Sequence, residues 1–91
     1  MVLVAKVWFI TEASRDLGRI WAETALERGD SVAVTARGVE PLAELADRFG
    51  EGVFVRALDV RDRKDVFAAV AEVRERFGRI DIAVGTRATA T

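Results

Sequence analysis

Four short apolar runs separated by three stretches of helical periodicity constrain this chain more than any other feature. The runs cover residues 4–11, 31–36, 53–58 and 80–84, and they are continuous rather than alternating. A strand with one wet face alternates apolar and polar residues, whereas a strand covered on both faces has no need to. Continuous runs therefore predict a parallel sheet with helices on both sides. The first helix, from about Ser14 to Arg28, places Leu17, Ile20, Trp21, Thr24 and Ala25 on one stripe, and Gly29 ends it. The second starts near Pro41, a residue suited to a first turn, and carries Leu42, Leu45, Ala46 and Phe49 before Gly50. The third is capped by Asp62, with Asp65 three residues on, and shows Val66, Val70, Val73 and Phe77 before Gly78. The order is β-α-β-α-β-α-β. Right-handed crossovers make that an α/β fold, a three-layer doubly wound parallel half-sheet with strand order 3-2-1-4.

Composition narrows the chemistry. The 91 residues make one small domain with a modest core, and the formal net charge of −1 gives no electrostatic reason to expect nucleic acid or an anionic membrane as partner. Residues 1–10 are apolar but short and interrupted by Lys6, so they read as a strand and not as a signal peptide. Cysteine is absent, which makes a cytoplasmic location the expectation. Histidine and tyrosine are absent too. A His base, a thiolate nucleophile, a phenol acid and a Cys/His zinc site are thereby excluded. Lysine occurs only at Lys6 and Lys64, and Thr11 and Ser14 have no basic partner in sequence that would make either a nucleophile.

Between the first run and the first helix lies Thr11-Glu12-Ala13-Ser14-Arg15-Asp16-Leu17-Gly18. A strand, a tight loop and a helix start in this order form the phosphate-binding corner of dinucleotide-binding folds, where glycines let the backbone approach a pyrophosphate. Only Gly18 is present. Glu12 and Asp16 stand where the other glycines belong.

Several further motifs occur in order: the strand around Lys6 to Thr11, Ala13-Ser14-Arg15 in the loop, Thr35-Ala36-Arg37 after the second strand, Leu58-Asp59-Val60 after the third, and Phe77-Gly78-Arg79-Ile80-Asp81-Ile82 entering the fourth. Over residues 5–82 the chain resembles the N-terminal half of a short-chain dehydrogenase/reductase, a Rossmann-fold oxidoreductase family that uses NAD or NADP. The resemblance implies an ancestral NADP(H) site. Arg15 and Arg37 match residues that meet the 2′-phosphate, and Asp59 matches one that touches the adenine. Thr11, Ser14, Gly18 and Val60 match other cofactor-binding positions.

The departures are equally specific. The family loop is T-G-x-x-x-G-x-G, and its first two glycines are Glu12 and Asp16 here. The family's N-N-A-G after the fourth strand is Gly85-Thr86-Arg87-Ala88. None of the family's catalytic Ser and Tyr-x-x-x-Lys positions can be placed on this sequence, so no catalytic residue is assigned. The loop acids predict that no cofactor is held. Simpler roles suit the remaining residues: Asp59 as a turn residue, Arg15 and Arg37 as solvated charges, Trp8 and Trp21 as core aromatics, residues 85–91 as a frayed tail. Glu12, Asp16 and Asp59 all fall near the sheet's carboxyl end, but three acids without loop geometry are a poor signal for a cation, and no metal is expected.

The reading that follows is a non-catalytic, cofactor-free Rossmann half that self-associates, its two acid-for-glycine changes fitting natural drift or deliberate alteration alike. A homodimer is expected through the strand running from Ile80 to Val84, or through the helix from Asp62 to Phe77 with Phe67 beside its stripe, or both. Two other readings stay open: a residual NADP(H)-binding module, and an oxidoreductase subunit completed by another chain.

Overall fold

A computed structural model describes residues 5–11 and 16–85, with the backbone alone for residues 16 and 17. Strand β1 (Val7–Thr11) is followed by helix α1 (Asp16–Glu27), β2 (Ser31–Ala36), α2 (Ala43–Phe49), β3 (Val53–Ala57), α3 (Arg63–Phe77) and β4 (Ile82–Gly85). The sheet order is β3-β2-β1-β4 and every pairing is parallel. This is the predicted topology. In register, Phe9 lies between Ala33 and Ala83, Ile10 between Val34 and Val84.

Successive residues of each strand serve opposite faces. Ile10, Val32 and Val34 point into one core with Ala22, Ala25 and Leu26 of α1, Leu45 of α2 and Leu42 just before it. Val7, Phe9 and Ala33 point into the other, closed by Ala69 and Val73 of α3 with Leu58. Helices α1 and α2 thus share one face, and α3 covers the other. Leu42 and Leu45 are fully buried, each worth roughly 1.5–3 kcal/mol of transfer free energy.

Several boundaries and faces differ from expectation. The buried stripe of α1 is Gly18, Ala22, Ala25 and Leu26, whereas Ile20 is 56% exposed and Thr24 is exposed. Small residues at Gly18, Ala22 and Ala25 let the helix lie close on the sheet, so the larger Ile20 is turned outward. In α2, Ala46 is exposed, while Leu45, and Leu42 in the 3-10 turn Glu40–Leu42 ahead of the helix, are buried. Strand β1 begins at Val7, since the Lys6 N–H is taken by the Asp30 side chain (3.1 Å) rather than a ladder carbonyl. Strand β4 starts two residues later than expected and includes Gly85, which pairs with Thr11 and is no part of a tail. Residues 86–91 lie outside the described residues.

Helix α3 is bounded as the sequence predicts. Asp62 Oδ1 accepts from the Asp65 N–H (3.2 Å), and Gly78, at φ 89°, donates to the Arg74 carbonyl (2.7 Å). That positive φ is what favours glycine at the position. Arg56 of β3 secures the helix to the sheet, reaching Glu72 at 2.8 Å and Asp65 at 3.1 Å.

At the amino end of the sheet, two carboxylates fix the start of β1. Asp30, 6% exposed, accepts from the Lys6 N–H, from Trp8 Nε1 (2.9 Å) and from Arg28 (3.2 Å). Trp8 is consequently half-buried, its ring on the α1/α2 core and its N–H satisfied at the rim. Asp81 Oδ2 accepts from the Val7 N–H at 2.8 Å, and Arg79 bridges Asp81 (2.9 Å) to the Ala5 carbonyl (2.6 Å). Burial pushes the Asp30 carboxyl up, but its hydrogen bonds from Lys6 and Trp8 and the nearby Arg28 and Lys6 charges outweigh that and hold its pKa below the ordinary value. The Val7 N–H, and then Arg79, lower that of Asp81.

Candidate functional site

In an open parallel α/β sheet, the crevice outside the carboxyl ends of the strands is the position where ligands bind. Here that end is built from the last residues of four strands. Thr11 closes β1, Ala36 closes β2 with Arg37 beyond it, Ala57 closes β3 ahead of Leu58, Asp59 and Val60, and Gly85 closes β4. Helix α1 begins at Asp16, so its free N–H groups face the same end. The alternation of elements therefore gathers Thr11, Gly18, Arg37, Asp59 and Val60 around one rim. Glu12, Ser14 and Arg15 lie outside the described residues, as does the side chain of Asp16.

Thr11 and Gly85 are a tight pair. A Cβ built on Gly85 would stand 3.1 Å from Thr11 Oγ1. One residue below, buried Thr35 donates its hydroxyl to the Ile10 carbonyl (3.4 Å). The Thr35 side chain thus serves the packing of β1 on β2, under the site. Gly18 is buried inside α1, where its missing side chain favours close packing of the helix on the sheet.

Arg37 is exposed. Asp59 is half-buried and makes a turn: its Oδ1 accepts from the Arg61 N–H (3.0 Å) and Nε (3.1 Å), its Oδ2 from Arg61 Nη2 (2.9 Å). The guanidinium and then the backbone N–H of Arg61, with the added charge of Arg37, bring the Asp59 pKa to about 2. The carboxylate is anionic throughout the physiological range and flanked by cations at the rim. Val60 is half-buried against the α3 core. Among the described residues, no group of three His, Cys, Asp or Glu side chains could hold a metal ion. No described helix is long and apolar enough to cross a membrane.

Asp30 and Asp81 were not apparent as special from the sequence. Each immediately precedes or opens the approach to a strand neighbouring β1, and only the parallel pairing puts both beside its first N–H groups. A shallow cleft of about 440 Å³ lined by Ser31, Glu51, Arg76 and Phe77 also lies at the amino end, opposite that rim.

The short chain dehydrogenase family model matches residues 6–88. Oxidoreductase BOA17 of Botryotinia fuckeliana is 51% identical over 82 residues, covering 89% of this chain and 30% of that protein. A short-chain dehydrogenase structure from Streptomyces avermitilis superposes with a TM-score of 0.85 at 38% identity, covering 91% of this chain and 30% of that one. A 3-ketoacyl-(acyl-carrier-protein) reductase from Brucella melitensis, solved in complex with NADH, gives a TM-score of 0.79 at 29% identity over 86% of this chain and 32% of its own. The chain spans about a third of the length of the curated relatives it matches. The motifs that line the rim, the β3-β2-β1-β4 sheet and these matches converge: the chain belongs to the short-chain dehydrogenase family.

Proposed function

We propose that the 91-residue chain is a non-catalytic, cofactor-free member of this family that associates with a second copy of itself. The observation that carries the cofactor half is the pair of acids at two positions matching loop glycines, Glu12 directly after β1 and Asp16 at the first residue of α1. A carboxylate about 4 Å from a phosphate charge costs on the order of 4 kcal/mol at an effective dielectric near 20. That is roughly three decades of affinity. The two side chains also add bulk where backbone should meet the pyrophosphate. Asp16 has a second consequence, since an acid in the first turn satisfies the same helix-end dipole that a bound phosphate would. On this reading the loop is stable without a ligand.

The absence of tyrosine from the 91 residues removes the family's phenol acid from any reaction this polypeptide performs alone. Support for self-association comes from two exposed features. β4 has no strand on its outer side among the described residues, and Phe67 of α3 is 70% exposed. Open strand edges and large exposed aromatics are sites of association.

A second reading, a residual NADP(H)-binding module, draws on Arg37, whose charge acts on Asp59 at the carboxyl rim. Calorimetric titration of the E12G/D16G double variant beside the unaltered chain separates the two. If charge and bulk at the loop are the obstacle, the variant gains NADPH affinity by at least about a hundredfold. Equal affinity in both proteins removes the loop as the cause.

A further inference from the structure

Helix α3 has two faces of different character. Its inner face buries Ala69 and Val73 and half-buries Val66, Val70 and Phe77, while Arg56 holds Asp65 and Glu72 along one flank. On the opposite side stand Lys64, Ala68, Ala71 and Glu75, all exposed. Their spacings of four, three and four residues put them on one stripe at 3.6 residues per turn. Phe67 borders that stripe and is 70% exposed. Neither Lys64 nor Glu75 makes an ion pair or side-chain hydrogen bond among the described residues, in contrast to the flank that Arg56 occupies.

The order Lys, Ala, Ala, Glu is complementary to its own reverse. Two such helices placed antiparallel about a two-fold axis between Ala68 and Ala71 bring Lys64 of each copy opposite Glu75 of the other. Ala68 then faces Ala71, small enough for close approach of the axes, and Phe67 of each copy covers the partner's flank. A parallel arrangement would oppose Lys64 to Lys64 and Glu75 to Glu75. Charge therefore selects both the occupant and its direction. We propose that the outer face of α3 is a homodimer surface in which two copies pair antiparallel through Lys64–Glu75 contacts around an Ala68/Ala71 crossing, with Phe67 as the apolar anchor. The proposal rests on the self-association reading and assigns it to this helix in preference to the β4 edge.

A single helix pair buries an area at or below the low end of specific interfaces, about 1,200 Å² in total, so the dimer is a weak one. Sedimentation equilibrium from about 10 µM to about 1 mM spans the corresponding affinities. Each dimer holds the Lys64–Glu75 contact twice, so K64E or E75K alone replaces two attractions with two repulsions and weakens association by about tenfold or more. The decisive arm is compensation: an equimolar mixture of K64E and E75K forms a heterodimer at wild-type strength, and the K64E/E75K double variant recovers the homodimer. F67E removes the dimer altogether. Circular dichroism of these surface variants should match the unaltered chain. A dimer that survives K64E and F67E but is lost in I82K overturns the α3 assignment and leaves self-association standing. Mixed single variants that stay monomeric also overturn it. An unaltered chain that is monomeric at 1 mM overturns this surface and the self-association reading together.

Discussion

At the amino end of the sheet, Asp30 and Asp81 lie beside the first residues of β1 and accept hydrogen bonds from the Lys6 and Val7 N–H groups. Toward the carboxyl end, Glu12 follows β1 in sequence and Asp16 opens α1, the two positions that match glycines in the loop motif this chain resembles. Acidic residues thus lie near both ends of the same strand along the chain or across the pairing, under opposite demands. Below, the N–H groups are strand ends that have no other partner among the described residues, and an acid completes them. Above, on the reading we propose, an acid at the start of α1 competes with an anionic ligand for the free N–H groups of that helix end. The same chemistry that secures one end of β1 argues against a phosphate at the other.

The contrast can be broken at its stronger side first. Asp30 is buried and holds three donors, so D30A leaves the Trp8 indole N–H and the Lys6 N–H without their partner. A buried donor left unsatisfied costs about 1–3 kcal/mol. Urea unfolding followed by tryptophan fluorescence should therefore show a loss of about 3 kcal/mol, and a near-neutral D30A would mean that the clamp holds nothing. D81N keeps the shape of its neighbour but weakens the bond from Val7 N–H and removes the ion pair with Arg79. Its midpoint should fall by clearly less than that of D30A, because Asp81 is more open to solvent.

Acid provides the next measurement. Asp30 and Asp81 both have folded-state pKa values below the unfolded carboxylate value, so the unfolded state binds more protons as pH falls. Their contribution is complete above the unfolded value of about 3.9 and is lost as pH drops through their lower folded values. Unfolding midpoints should decline below about pH 4 in the unaltered chain, and the decline should be shallower in D81N. At the carboxyl rim, D59N is expected to leave stability unchanged within error, because the Asp59–Arg61 pair is solvated and local. A large loss in D59N would place a supporting role at the rim as well, and the contrast between the ends would weaken.

The sheet was legible because its determinants are local. Continuous apolar runs name parallel strands, and Asp62 and Gly78 mark the ends of α3 by rules that act within a few residues. The face of α1 was legible only in part: Ala25 is buried and Trp21 packs on the core as expected, but periodicity weighs Ile20 above Gly18, whereas packing on a sheet rewards the small residue that lets the backbone approach. Asp30 escaped notice for a different reason. Its partners Lys6 and Trp8 are far away in sequence, and an acid after a helix-terminating glycine looks like any turn residue until the strands are paired. At the rim, the motif residues Thr11, Arg37, Asp59 and Val60 could be placed from sequence, since each ends or follows a strand. What Asp59 does there depends on Arg61, two residues on, which its motif does not include.

Our proposal that Glu12 and Asp16 keep this chain free of cofactor is open to a direct check. Isothermal titration of NADPH into the unaltered 91-residue protein tests it most directly. No saturable heat is expected up to about 1 mM nucleotide. Saturable binding with a Kd of a few micromolar would contradict it.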